Sequence, residues 1–301
     1  MIEPEVVVGD RYELRDVIGC GGMGRVWRAY DRTLRRDVAV KEMLAPPGAG
    51  EAELALQRGI AVREAQAAAQ INHPNSIRIL NIADAGRRPW IVMEHIPSWS
   101  LHELTVSNGS LPPAYVAGIG VAVLDALTAA HRVGVLHRDV KPSNVLIGRD
   151  GRVVLVDFGI ARSNGRPSAG AQTFGTARYL PPERARANLS LPEGDLYSLG
   201  ATLYSAVEGR GPYDRGSVEE TLTALLAAPP DPTRHAGELA PVLFGLLHRE
   251  PGRRWLPDAA RRELSRVAGD TRPVARRDPA VAAWRGIAAS PESTVALLAA
   301  A

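Results

Sequence analysis

The run His137-Arg138-Asp139-Val140-Lys141-Pro142-Ser143-Asn144 sets a carboxylate, a cation and an amide at short fixed intervals, and Asp157-Phe158-Gly159 follows a little further on. Moving a phosphoryl group onto a hydroxyl requires such a set. A carboxylate must orient the hydroxyl and accept its proton, a cation must offset the charge on the moving group, and hard oxygen ligands must hold magnesium. Asp139 can serve as the base, Lys141 as the cation, and Asn144 with Asp157 as the metal ligands. The length of this pattern makes a chance match negligible.

Phosphates also need a fixed cation and a close backbone. Val38-Ala39-Val40-Lys41 reads as an alternating strand ending in a lysine, and Ile18-Gly19-Cys20-Gly21-Gly22-Met23-Gly24-Arg25-Val26 as a glycine-rich turn that can fold over a phosphate without side-chain clash. Glu64, in Val62-Arg63-Glu64-Ala65, lies on the main helix of this half of the chain and is expected to hold Lys41 in an ion pair.

These groups must be carried by two differently textured halves. Arg11–Leu14, Val26–Tyr30, Asp37–Leu44, Ser76–Ile82 and Pro89–Glu94 read as strands, and Glu51–Gln70 as a helix stopped by Asn72-His73-Pro74. From Ser100 the texture is helical. A long apolar helix starts at Pro112-Pro113 and ends near Gly134, and short strands at Val145–Ile147 and Val153–Val156 flank the turn signal Asp150-Gly151. The helices run on to about Ala268.

With these motifs in place, the chain resembles the eukaryotic-type (Hanks-type) serine/threonine protein kinases, and among them the bacterial members. The bacterial likeness lies in Gly21-Gly22-Met23-Gly24, Asp157-Phe158-Gly159-Ile160-Ala161-Arg162 and Gly175-Thr176-Ala177-Arg178-Tyr179-Leu180. The resemblance implies an α+β, two-lobed fold over residues 9–268, with a small, mostly antiparallel β lobe to about residue 96 and a mostly helical lobe from 97. It implies ATP as co-substrate with Mg2+, Mn2+ being compatible, protein substrates, and an allowance for homodimers paired through the small lobe.

By position, the resemblance makes Ile18, Gly19, Gly21, Gly22 and Gly24 the nucleotide-covering loop, and Val26, Ala39 and Leu146 the groups sandwiching the base. Lys41 and Glu64 become the phosphate-gripping pair, Met93 the residue guarding the back of the pocket, and Glu94 and Ile96 the hinge whose backbone meets adenine. Ser100 falls near the ribose. Asp195 is expected to buttress the catalytic loop, and Glu183 of Pro182-Glu183 to pair with Arg254. Lys141, two residues after Asp139, with Gly175-Thr176 before Tyr179, favours serine and threonine over tyrosine as acceptors. Arg138 is expected to hold a phosphate on the activation segment, with Thr173 as the autophosphorylation site and Ser168 nearby. The intact set of Lys41, Asp139 and Asp157 speaks against a pseudokinase scaffold, and the long run from Asp157 to Glu183 against a small-molecule kinase.

Composition agrees. The 301 residues are 45% hydrophobic and 23% charged, enough for a sizeable core. The net charge of +3 reflects a modest arginine excess rather than a basic stripe, so no nucleic-acid partner is expected. A single cysteine, Cys20, allows no intrachain disulfide and fits a reducing, cytoplasmic setting. The acidic start Met1-Ile2-Glu3-Pro4-Glu5 does not read as a signal peptide. No membrane span is expected, because the best stretch, Ala114–Leu136, carries Asp125, His131 and Arg132 and reads as a buried helix. Residues 269–301 form an Arg/Pro/Ala-rich tail.

Overall fold

In the computed structural model the described residues are 6–21, 24–43, 50–85, 88–159 and 177–269. The amino-terminal half is a six-stranded antiparallel sheet in the order β1-β2-β3-β4-β6-β5, built from β1 (Val7–Val8), β2 (Tyr12–Gly21), β3 (Gly24–Asp31), β4 (Arg36–Met43), β5 (Ile79–Ala85) and β6 (Arg88–Glu94). One face of this sheet buries Tyr12, Ala29, Val38, Val40 and Val92 in a small core of its own. The alternation Val38-Ala39-Val40-Lys41 sends Ala39 and Lys41 to the other face, toward the cleft. The short β1 carries no sequence signal beyond two valines and was not anticipated.

Helix α1 (Glu51–Ala68) lies against β5 and β6. It buries only Ala61, Ala65 and Ala68, spaced to line one face of a 3.6-residue period. After it, residues 72–77 stay with the larger lobe: Asn75 Nδ2 donates to the Val153 carbonyl at 2.7 Å, and the Leu155 N–H donates to the Asn75 carbonyl at 2.8 Å.

The carboxy-terminal half is organised around α3 (Pro113–Arg132), the long apolar helix expected from the sequence. It packs on α5 (Pro192–Glu208) and α8 (Pro257–Ala268). The approach is close: a Cβ added at Gly120 would lie 2.9 Å from both Leu203 and Leu264 methyls. Among the described residues α3 is the helix long and apolar enough to cross a membrane, but these neighbours bury its apolar face within the lobe. A second, three-stranded sheet joins β7 (Ser98–Ser100), which precedes α3, to β8 (Val145–Gly148) and β9 (Val153–Leu155), which follow it, and α4 (Pro182–Ala187) comes next before α5. The lobe is completed by α2 (Leu101–Asn108), α6 (Val218–Ala227) and α7 (Ala240–Leu246). The two-lobed α+β architecture expected from the motifs is the one observed. Gly22, Ser168, Thr173, Thr176 and the tail from residue 270 lie outside the described residues.

Candidate active site

The catalytic loop is the stretch between α3 and β8, and its shape is set by one buried carboxylate. Asp195, in the first turn of α5 and 2% exposed, accepts the backbone N–H of His137 at 2.8 Å and of Arg138 at 2.7 Å, and meets His131 Nε2 at 2.8 Å. This is the buttressing role the sequence assigned to it. His137 is fully buried. Its Nδ1 accepts the Asp139 N–H at 3.2 Å, so the proton sits on Nε2, which donates to the Val156 carbonyl at 2.8 Å. Burial holds the ring's pKa below its ordinary value of 6.5, keeping it neutral. Its ring also packs on Phe158, centroids 4.7 Å apart, joining the catalytic loop to the segment that carries Asp157.

Arg138 and Asp157 both adopt left-handed backbone, φ 65° in each case. Such residues are uncommon away from glycine and concentrate at functional sites. The turn at Pro142–Asn144 then folds the loop back, with the Asn144 N–H donating to Lys141 O at 2.9 Å. Asn144 Nδ2 donates to the Asp139 carbonyl at 2.8 Å and approaches Asp139 Oδ2 at 3.4 Å. Lys141 Nζ lies 3.1 Å from the same Oδ2. Asp139, Lys141 and Asn144 are therefore brought together as the spacing predicts.

The amide orientation leaves the Asn144 oxygen a candidate metal ligand, with the Asp157 carboxylate the second. Among the described residues no group of three or more His, Cys, Asp or Glu side chains gathers as a metal cage. Magnesium is ordinarily held by one or two protein oxygens, substrate phosphates and water, and a hard-oxygen pair such as Asn144 and Asp157 fits that donor set.

One expectation is corrected. Lys41 does not pair with Glu64; its Nζ sits 2.8 Å from Asp157 Oδ1. Glu64 lies 3.6 Å from Arg138 Nη1 instead, and its Oε2 is buried without a hydrogen-bond partner. Burial pushes the Glu64 carboxyl pKa up, and Arg138 only partly offsets this. The physical reason lies in placement. Lys41 is fixed by the β4 register, whereas Glu64 depends on where α1 lies against the sheet, and a buried ammonium takes whichever carboxylate is in reach.

The residues expected on the nucleotide side lie on β2, β3, β4, β6 and β8. In the sheet register Val26 faces Lys41 and Ala39 faces Met93; Ala39 and Met93 are each 6% exposed. Gly21 pairs with Gly24 at the tip of the β2–β3 hairpin, and Ile18 and Gly19 lie on β2 below it. Gly24 has a structural reason of its own: φ is +148°, and an added Cβ would sit 1.9 Å from the Glu42 carbonyl oxygen. Leu146, half-buried on β8, faces Ser100 of β7. The Ser100 hydroxyl, expected near the ribose, caps α2. It accepts the Glu103 N–H at 3.1 Å, while Glu103 reaches back to the Ser100 N–H.

At the hinge, Glu94 ends β6 and Ile96 follows. The Glu94 carboxylate accepts the Arg78 N–H at 3.1 Å and Arg152 Nη2 at 2.9 Å, tying both lobes to the hinge; the sequence carried no sign of this clamp. His95 is half-buried, and burial lowers its pKa, which fits a neutral rim residue. At the far end of the lobe, Glu183 and Arg254 form the expected pair at 2.8 and 2.6 Å, both side chains buried.

A family model described as "Protein kinase domain" matches residues 12–262, and the chain belongs to that family. Among curated relatives it is 36% identical over 276 residues to the serine/threonine-protein kinase PknB of Mycobacterium leprae, covering 86% of this chain and 43% of the relative. It is 40% identical over 224 residues to the probable serine/threonine-protein kinase PknB of Bifidobacterium longum, covering 70% of this chain and 32% of that one. The chain thus spans less than half the length of these relatives. Among solved structures, the crystal structure of Rad53 1-466 in complex with AMP-PNP matches with a TM-score of 0.69 at 23% identity, over 86% of this chain and 66% of that one, and so shares the fold.

Proposed function

We propose that this domain transfers the γ-phosphoryl group of ATP to serine and threonine hydroxyls of protein substrates. The observation that carries the reading is the convergence on one cleft of the Asp139 carboxylate, with Lys141 at 3.1 Å and Asn144 at 3.4 Å, and of Lys41 with Asp157 at 2.8 Å. Asp139 orients the acceptor hydroxyl and takes its proton on a carboxylate oxygen. Lys141 moves its charge from Asp139 to the phosphoryl group in flight. Lys41 leaves Asp157 for the nucleotide phosphates, and Glu94 and Ile96 present hinge backbone to the base. Asn144 and Asp157 are the residues that would hold magnesium, which when bound would supply neutralising charge on the phosphates.

The test is transfer of labelled phosphate from Mg-ATP to a generic basic protein. Asp139→Asn is expected to lower kcat by roughly a hundred- to ten-thousand-fold, the usual range for a lost general base, with folding intact. Undiminished activity in that variant overturns the assignment, and transfer to an aminoglycoside but to no protein would make the chain a small-molecule kinase.

The reading extends to autophosphorylation at Thr173. Arg138, whose guanidinium faces Glu64, is the cation that a phosphate on that threonine would claim, because charge-assisted bonds to a dianion outcompete a single carboxylate. Phosphopeptide mapping after incubation with Mg-ATP checks it, and absence of phosphate between Ser163 and Thr173 would sink it.

A further inference from the structure

Arg184 stands in the first turn of α4, directly after Glu183, and has no place in the motifs described above. Its Nη1 donates to the carbonyl oxygen of Arg138. That carbonyl belongs to the peptide unit linking Arg138 to Asp139, and the N–H of the same unit donates to His137 Nδ1 at 3.2 Å. The peptide plane that carries the base is therefore held at both ends, its N–H by the catalytic loop itself and its C=O from a helix more than forty residues away.

Such holding matters because Arg138 sits at φ 65°, a conformation that a side-chain-bearing residue keeps only when its surroundings enforce it. Asp195 fixes the peptide nitrogens of His137 and Arg138, on the amino side of that residue. Arg184 fixes the carbonyl on the other side, with a bond from a cation to a neutral acceptor, which is stronger than a neutral pair. Its own backbone is steady, because the preceding Glu183 is locked to Arg254 by two bonds of 2.8 and 2.6 Å.

We propose that Arg184 is a positioning residue for the phosphotransfer, aiming the Asp139 carboxylate by holding the Arg138–Asp139 peptide. The inference rests on the kinase reading and deepens it. It couples the anchoring of Glu183 on Arg254 to the aim of the base, through a backbone atom. Removing the bond lets that peptide plane turn, and a misplacement of about 1 Å at a reacting group costs on the order of a hundredfold in rate.

The test is steady-state phosphotransfer from Mg-ATP to a generic basic protein by the whole chain, with thermal unfolding measured in parallel. Arg184→Met keeps the length and removes the donor; kcat is expected to fall about tenfold or more while KM for ATP stays within about twofold. Arg184→Lys restores a cationic donor and is expected to recover most of that loss. Arg186→Met, two residues along α4, where Nη2 donates to the Leu226 carbonyl, is expected to leave kcat unchanged. If the methionine variant does not fold, Arg184→Gln carries the same expectation at a smaller size. Unchanged kcat in Arg184→Met, or a loss that Arg186→Met reproduces and Arg184→Lys does not relieve, overturns the inference while an active wild type leaves the kinase reading standing. An inactive wild type overturns both.

Discussion

Two glutamates, Glu183 buried and Glu64 half-buried, show how differently the two lobes are held. Glu183 meets Arg254 through paired hydrogen bonds, and that guanidinium also donates to the carbonyls of His248 and Glu193 and lies over the Tyr197 ring, 4.9 Å from its centroid. Glu64 has a 3.6 Å contact with Arg138 and one buried oxygen with no partner. The helices that carry these sites differ in the same sense. α5, beside the first pair, buries Tyr197, Leu199, Leu203 and Tyr204, whereas α1 buries three alanines. A carboxylate with both oxygens hydrogen-bonded, on elements gripped by large side chains, has one low-energy arrangement. A half-met carboxylate on a helix gripped by methyl groups is ready to exchange partners. The lower lobe is a fixed frame for Asp139, and the upper lobe carries an ion pair that can be re-made.

The sharpest way to break the contrast is to strip the satisfied pair. Arg254→Met leaves Glu183 buried and unpaired and is expected to cost about 3–5 kcal/mol of unfolding free energy, read from urea melts. A loss below about 1 kcal/mol would mean that the frame is not fixed as described. Glu64→Gln should do the reverse. It removes a burial penalty, so the unfolding midpoint holds or rises, while the 3.6 Å contact with Arg138, next to the base, is weakened and activity falls by up to about tenfold. A lower midpoint with full activity would erase the distinction between the two glutamates.

Acid should act on the frame through His137. Its folded-state pKa lies below the ordinary 6.5, so as pH falls through 6.5 the unfolded chain takes up a proton that the native ring refuses. Stability is then lost toward lower pH at a slope of at most about 1.4 kcal/mol per pH unit. Nitrogen-15 spectra of the imidazole should show a ring that titrates below its ordinary value and whose neutral form is protonated on Nε2, and a ring titrating at its ordinary value would contradict the buried network. The smallest effect is expected at Ser76, a buried hydroxyl without a partner at the seam between the lobes. Ser76→Ala should leave stability unchanged or raise it by up to about 1 kcal/mol, since the unmet hydroxyl is removed.

Much of the active site was legible in the chain because its members are close neighbours in sequence. Asp139, Lys141 and Asn144 are set by one loop and a single turn, so their spacing is nearly their geometry. Strand alternation put Lys41 and Ala39 on the cleft face, and helix periodicity with proline starts located α3. The capping role of Ser100 is also written locally, as Ser followed three residues later by Glu103. The Glu94–Arg152 clamp and the reach of Arg184 to Arg138 had no local signature. Each joins segments tens of residues apart through side chains that look like ordinary surface charges.

The sequence by itself determined which groups are present and how the catalytic loop presents them, because short-range covalent geometry and local hydrogen bonds dominate within a few residues. Which carboxylate Lys41 holds was decided only by the tertiary structure. Glu64 and Asp157 are both within the means of the fold, and the choice depends on how α1 lies against a sheet it grips with three alanines. Buried ion pairs follow distance steeply, and that distance is a property of packed elements, not of spacing along the chain.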